Sequence, residues 1–340
     1  MQQLSELTAS NELLDDADAL RERLDMDGCF LIRGLLPRDA VCNVRLEIME
    51  ECRAAGLLDE NYPVEEGRVR SGRSHRDFMA VQDGDCWGFE SLHELMHRPE
   101  ITSIAETLVG ETVTPFIHKA IRLRAPEDAV TDEIPYISTA HQDYIFVQGS
   151  LERNYTCWVP LVDITANMGV LELLRGSHKS GVYPVCAHAD GGIGVDDSSL
   201  VGEWLTTEYE MGDALFFHTL TVHRAPPNLG DRIRLSTDCR YQGLSAPFSS
   251  EFVFPLMPRI ENAYKNWKSK ELQYFWRKLD IKRVEYDHRY NEEASVDSIN
   301  RGRAGDQTVA AYLRGLANDA RWGTEAKALL AQLESAAGRG

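Results

Sequence analysis

The first 110 residues mix short apolar runs with stripes at helical spacing. Cys29-Phe30-Leu31-Ile32 follows Asp27-Gly28 and stops at Arg33-Gly34, which predicts a buried strand entered from a turn. Pro37 then opens a helical stretch with Val41, Val44, Ile48 and Cys52 on one face and Gly56 as its stop. A second amphipathic helix starts near Pro99, carries Ile101, Ile104, Ala105, Leu108 and Val109 as a stripe, and ends at Gly110. From Thr112 to about Gly243 the rhythm changes to short strand-like runs at 112–123, 145–148, 155–162, 170–174, 213–217 and 233–241. Many short strands without helices between them argue against a parallel βαβ sheet and for an antiparallel sandwich or barrel. Beyond residue 258 helical character returns, with Tyr274, Phe275 and Trp276 in a charged stretch and a late stripe of Ala326, Leu329, Leu330 and Leu333. The expected class is therefore mainly β with flanking helices, in two parts: residues 1–258 and a helical C-terminal extension, 259–340.

Composition narrows the setting. The chain has 340 residues, 43% hydrophobic and 26% charged, the balance of a globular protein. A formal charge of −18 repels a phosphate backbone over most of the surface, so no nucleic-acid partner is expected. The first 20 residues are acidic, without the basic start and apolar stretch of a secretory signal, and no window reaches the ~18 apolar residues of a membrane span. Seven scattered cysteines without a C-x-x-C pair suit a reduced, cytoplasmic protein. Residues 259–340 hold 15 basic and 12 acidic side chains, an asymmetry that fits packing on the acidic body, a homo-oligomer contact, or a solvated appendage.

The candidate chemistry begins at His141-Gln142-Asp143. In a strand-like segment alternate residues share a face, so His141 and Asp143 are expected to point the same way. His223 follows 82 residues on, after the apolar run Ala214-Leu215-Phe216-Phe217. Two imidazoles and one carboxylate leave three metal positions open, the facial arrangement of non-haem Fe(II) oxygenases. Eleven residues after His223 comes Arg234, and Ser236 shares its strand face; a guanidinium fork with a hydroxyl suits the far carboxylate of a dicarboxylate cosubstrate. His218 is a rival for the distal ligand, but lies 16 residues before Arg234. His75, His93, His97, His118, His188 and His288 show no ligand spacing of their own. Arg68, Arg70, Arg73 and Arg76, with His75, form the densest basic patch, readable as an anion clamp or as a solvated loop with salt bridges. The 134–137 run, Tyr144 and Phe146 flank the motif as cavity-lining or core residues.

Taken in order, these segments resemble the phytanoyl-CoA dioxygenase family of Fe(II)- and 2-oxoglutarate-dependent oxygenases. The resemblance spans roughly residues 27–242. It rests on the run from Asp27 to Leu36, on His141-Gln142-Asp143, on the segment from Leu171 to Arg175-Gly176-Ser177-His178, and on Gly212-Asp213-Ala214-Leu215-Phe216-Phe217-His218 leading to His223, Asn228, Arg234 and Ser236. It implies a double-stranded β-helix (jelly-roll, cupin-like) core flanked by helices. It also implies iron held by His141, Asp143 and His223, 2-oxoglutarate held by Arg234 and Ser236, a cosubstrate pocket lined by Lys119 and Trp158, and a structural role for His178 in its turn. Related halogenases replace the ligand carboxylate by a small residue; Asp143 therefore favours hydroxylation or another oxidation of a small organic molecule, with O2 consumed and succinate and CO2 released. Two alternatives stay open at this level: a cupin-like metal enzyme that does not use 2-oxoglutarate, and a non-catalytic binding barrel.

Overall fold

Strand β1 (Gln3–Glu6) is followed by helix α1 (Ala17–Asp27), whose first turn is capped by the Asp16 carboxylate accepting from the Asp18 and Ala19 amides. The helix ends at Gly28 with φ +81°, where a Cβ would lie 2.7 Å from His178 Nδ1 and 2.8 Å from Thr221 Oγ1, so only glycine lets the chain turn here against the body. Strand β2 (Cys29–Ile32) starts at the next residue and is fully buried. Helices α2 (Arg38–Ala54), α3 (His75–Gln82), α4 (Glu90–Met96) and α5 (Pro99–Val109) come next. In α2 and α5 the buried residues include the apolar stripes expected from the sequence. The computed structural model describes residues 3–73, 75–82, 84, 86–126, 138–189, 191–250 and 257–337; the 134–137 run lies outside them.

The middle of the chain is strand-rich. It contains β3 (Val113–Pro115), β4 (Ala120–Arg124), β5 (Ser138–His141), a helical turn α6 (Tyr144–Val147), β6 (Asn154–Pro160), β7 (Glu172–Leu174), β8 (Val185–Ala187) and β9 (Ile193–Val195). It continues through β10 (Glu203–Thr206), β11 (Ala214–His218), β12 (His223–Ala225), β13 (Arg234–Gly243) and β14 (Phe248–Ser249). One sheet has the order β2-β11-β6-β13-β3, with β4 also pairing β13, and the other runs β1-β10-β7-β12-β5. Their pairings are antiparallel except β1 with β10. Two expectations are corrected. The 112–123 run is two strands, and 145–148 is not a strand at all, since Tyr144–Val147 is helical.

The C-terminal part holds α7 (Met257–Ala263), β15 (Arg283–Val284), α8 (Arg289–Arg303), α9 (Ala310–Leu316) and α10 (Gly323–Ala337). Its first portion joins the main core: Tyr264, Trp267 and Trp276 are buried with the residues of α2, α4 and α5. The last helices build a small core of their own from Ile299, Val309, Leu313, Ala326, Leu329, Leu330 and Leu333. No helix among the described residues is long and apolar enough to cross a membrane.

Period-2 alternation sets the polarity of the six-stranded sheet. On β11, Phe216 stacks on Phe30 at 5.3 Å between ring centres, while its neighbour Phe217 faces the other way, into a cavity. Phe216→Ala is therefore expected to cost about 3–5 kcal/mol in urea unfolding, because a fully buried ring is lost from the side away from the cavity. A loss well below this range would show that the site can collapse around the deletion.

Candidate metal centre

His141 ends β5 and His223 begins β12, and the antiparallel register sets the two directly opposite each other. Cross-strand neighbours in this position project to one face, and the ring centres lie 4.2 Å apart. Each ring is oriented by its own backbone: Nδ1 of His141 bonds the Thr139 carbonyl at 2.8 Å and Nδ1 of His223 the Thr221 carbonyl at 3.0 Å. Both bonds assign the proton to Nδ1 and leave the Nε2 lone pairs free. Asp143 reaches the same point by another route than strand alternation. The strand stops at His141, and Asp143 sits in the helical region at φ −58°, ψ −31° as the N-cap of α6. Its Oδ1 is 4.0 Å from His141 Nε2 and 4.0 Å from His223 Nε2. One donor atom from each of the three residues lies within 4.8 Å of the others. Between His141 and Asp143, the fully buried Gln142 donates to the Gly181 and Leu220 carbonyls at 2.9 and 2.7 Å and accepts from the Tyr183 amide at 2.9 Å, which pins the turn.

The electrostatics follow from burial. Burial first, then the neighbouring His223, pushes the His141 pKa down to about 3, and burial lowers that of His223; both rings are neutral near pH 7 and able to donate lone pairs. Burial, the largest single effect, would raise the Asp143 pKa, but the charge and hydrogen bond of Arg240 together with the neighbouring His223 and His141 hold the carboxyl far below its usual range. Arg240 Nε donates to Asp143 Oδ2 at 3.1 Å and Nη2 to Oδ1, while Thr156 donates to Oδ2 at 2.6 Å. Arg240 also pairs with Asp238 at 2.6 Å, and Asp238 with Arg122 at 2.8 Å. The result is a chain of alternating charge, Arg122, Asp238, Arg240 and Asp143, running to the metal-ligating candidates.

Next to it stands a cation without a counter-charge. Arg234 is 4% exposed, has no ion-pair partner among the described residues, and its Nε lacks a hydrogen-bond partner. The fully buried Ser236, on the same face of β13, has an unpartnered hydroxyl. Burial, with Arg124 beside it, pulls the Arg234 pKa down to about 9, so it remains charged near pH 7 in surroundings that disfavour the charge. Such a pair fits a buried carboxylate. Trp158 lies beneath, 5.8 Å from the Arg234 guanidinium to its ring centre. One cavity is lined by His141, Asp143, His223, Trp158, Arg234, Arg122, Arg124, Asp238, Arg240 and the apolar Leu171, Phe217 and Ala225.

Lys119 does not line this cavity. Its fully buried ammonium donates to the Phe116 carbonyl and lies over the Phe275 ring at 5.1 Å, and burial pulls its pKa down to about 8. The reason is parity: the register pairs Arg122 with Ser236 and Arg124 with Arg234, so even-numbered residues of this segment face the cavity and Lys119 points to the helices. His218 also lies elsewhere, its Nδ1 accepting from the Leu220 amide and its ring tilted against that of His178 at 5.4 Å between centres. Asn228 ties a loop by donating to the Arg124 and Arg232 carbonyls. In the basic patch, Arg68 pairs with Asp231 and Glu66, and Arg73 with Asp77; the His75 and Arg76 side chains lie outside the described residues. Arg240, Asp238, Arg122, Thr156 and Gln142 were not singled out by sequence. The available signal was the polar period on β13, where Arg234, Ser236, Asp238, Arg240 and Gln242 recur at every second position.

Comparison with known proteins places the chain in one family. The sequence model of the family described as phytanoyl-CoA dioxygenase (PhyH) matches residues 24–236. The 1-deoxypentalenic acid 11-beta-hydroxylase of Streptomyces exfoliatus is 26% identical over 279 residues, covering 78% of this chain and 95% of that protein. The peroxisomal phytanoyl-CoA dioxygenase of Rattus norvegicus is 23% identical over 230 residues, covering 65% and 67%. Among solved structures, the non-heme alpha ketoglutarate dependent epimerase SnoN from nogalamycin biosynthesis aligns with a TM-score of 0.48 at 22% identity, over 69% of this chain and 85% of that one. The chain belongs to the phytanoyl-CoA dioxygenase family.

The Arg240 pair yields a prediction that needs no activity. Arg240→Leu leaves Asp143 and Asp238 as buried carboxylates without their shared cation, and unfolding in urea with a chelator present is expected to lose about 3–5 kcal/mol. An unchanged midpoint would mean that solvent reaches Asp143.

Proposed function

We propose that His141, Asp143 and His223 hold one Fe(II), and that Arg234 with Ser236 hold the distal carboxylate of 2-oxoglutarate. As a member of its family the chain is an Fe(II)- and 2-oxoglutarate-dependent dioxygenase, and the reaction read here is hydroxylation of a small organic molecule. The observation that carries the assignment is a pairing: two neutral imidazoles and a carboxylate converge on one point, beside a buried guanidinium that lacks an acid partner among the described residues. Two histidines and one carboxylate suit Fe(II) and leave sites for an oxoacid and O2. We also read the two sheets as the halves of a double-stranded β-helix, and residues 1–258 as the oxygenase domain; the sheet orders support the first reading.

Iron with 2-oxoglutarate and O2 supplies the oxidising power: one oxygen atom goes to the substrate C–H bond as hydroxyl, the other to succinate, and CO2 leaves. The protein's residues do the rest. Backbone carbonyls of Thr139 and Thr221 keep the imidazoles aimed, Arg240 and Thr156 fix the rotation of the Asp143 carboxylate, and Leu171, Trp158 and Phe217 give the cavity apolar walls that limit water. A carboxylate at position 143 leaves no place for a halide in its stead, which favours hydroxylation. Four guanidiniums, from Arg122, Arg124, Arg234 and Arg240, line the cavity against the carboxylates of Asp143 and Asp238. That excess favours an organic acid as substrate, a class that also appears in the name of the Streptomyces relatives.

The test is a panel of small organic acids and their neutral amides, read as succinate released only when 2-oxoglutarate is present. Succinate release stimulated by acids supports the reading, and oxygen uptake indifferent to 2-oxoglutarate overturns it. Within that assay Asp143→Ala is expected to abolish turnover, and Arg234→Ala to raise the KM for 2-oxoglutarate at least about tenfold through loss of a charged hydrogen-bonded partner. Near-normal constants in either variant would refute the corresponding role.

A further inference from the structure

We infer that residues 286–290, which lie beyond the stretch matched by the family's sequence model, are part of the metal centre, with Tyr286 and Gln148 as positioning residues for the turn that carries Asp143. The inference rests on the proposed ligand role of Asp143. The family match ends at residue 236, yet three contacts tie the later segment to α6. Tyr286 donates its hydroxyl to the Ile145 carbonyl at 2.8 Å. Gln148 makes a two-way bond with Asp287, its amide donating to the Asp287 carbonyl and its carbonyl accepting from the Asp287 amide, both at 2.8 Å. Tyr290 meets Tyr144 edge-on at 6.4 Å and is buried with Ile145 and Val185.

These contacts compensate for a weakness of the turn itself. A four-residue helix has almost no stability of its own, and α6 closes at Gln148 with φ +49° and ψ −155°, a conformation costly for a side-chain-bearing residue. Gln148 is held there because its side chain completes the pair with Asp287. The segment 286–290 is itself anchored, since β15 pairs with β14 and the Tyr286 amide donates to Ser250 at 3.0 Å.

A second path reaches His141. Helix α8 packs on β8, where the Ala187 amide donates to Asp297 at 3.1 Å and Arg301 donates to the Ala187 carbonyl at 2.7 Å. Strand β8 pairs with β9, and Gly194 of β9 lies so close to the Ala140 carbonyl that no Cβ fits between them. The strand ending in His141 and the turn starting at Asp143 are thus both backed by the C-terminal extension.

The experiment compares wild type, Tyr286→Phe and Gln148→Leu in three measurements: Mn(II) affinity by calorimetry, Tm, and the KM for 2-oxoglutarate at saturating Fe(II). Tyr286→Phe deletes one hydroxyl from a side chain outside the cavity lining, so the fold is retained. The expected result is Mn(II) binding weakened roughly tenfold in each variant, with Tm near wild type and an unchanged KM, because Arg234 stands on the other sheet. Mn(II) binding equal to wild type in both variants overturns the inference while leaving the metal assignment intact. A parallel fall of Tm and of both affinities overturns it in favour of a purely structural contact. Wild-type protein that binds no Mn(II) overturns the metal assignment and this inference with it.

Discussion

A guanidinium–carboxylate pair crosses the space between the two sheets, and the site is organised around it. Asp143 belongs to the turn after β5, in the five-stranded sheet, and Arg240 to β13, at the heart of the other. Each would be an expensive buried charge alone, by several kcal/mol. Together, with Asp238 and Arg122 continuing the alternation of sign, they let one face of a central strand be almost wholly polar inside the protein. The arrangement stabilises little by itself, because desolvation consumes most of the attraction. What it specifies is position: the carboxylate has one rotation that satisfies Arg240 and Thr156, and in that rotation Oδ1 is equidistant from both imidazoles.

The polar interior explains which parts of the molecule were legible in the sequence. Local elements with one apolar face were readable, and β2, α2, α5 and α10 stand where periodicity puts them, because their stripes face an ordinary core. That His141, Asp143, His223 and Arg234 come together at one cavity was readable because the chemistry they would serve constrains residue type and spacing. Arg240 and Asp238 were not, since alternating charges on a strand normally mark a solvent face, and here they mark a cavity. The segment 145–148 was misread for a related reason: Ile-Phe-Val is a strand-like composition, and tertiary contacts from residues more than 130 positions away hold it as a helical turn. Lys119 shows the limit of transferring a residue by likeness, because a single step of strand parity moves a side chain from the cavity to the opposite face.

The charge asymmetry between the body and the C-terminal region fits packing on the body, a contact between copies or a solvated appendage alike. Many of the tail's ion pairs do not reach the body. Arg301 pairs with Asp297 and Asp306, Arg303 with Glu325, and Arg321 with Glu292, so these tail charges are satisfied within the tail. Attachment to the body runs instead through hydrogen bonds to backbone groups and through buried aromatics, Tyr264, Trp267, Trp276 and Tyr290. Contacts of this type are directional and weakly screened by salt, as a segment that holds a turn in one place requires.

The same polarity accounts for the helices on the outside. With Arg234, Ser236, Asp238 and Arg240 turned inward, β13 offers its apolar residues, Leu235, Cys239 and Tyr241, to the opposite face, and these must be covered. Helices α4 and α5 supply the cover, and Tyr241 fastens it by donating its hydroxyl to the Met96 carbonyl at 2.6 Å. A sheet with a hydrophobic inner face needs only its partner sheet, whereas a sheet whose inner face is charged and lines a cavity must find its core on the other side. The flanking helices are therefore a structural consequence of that polar cavity.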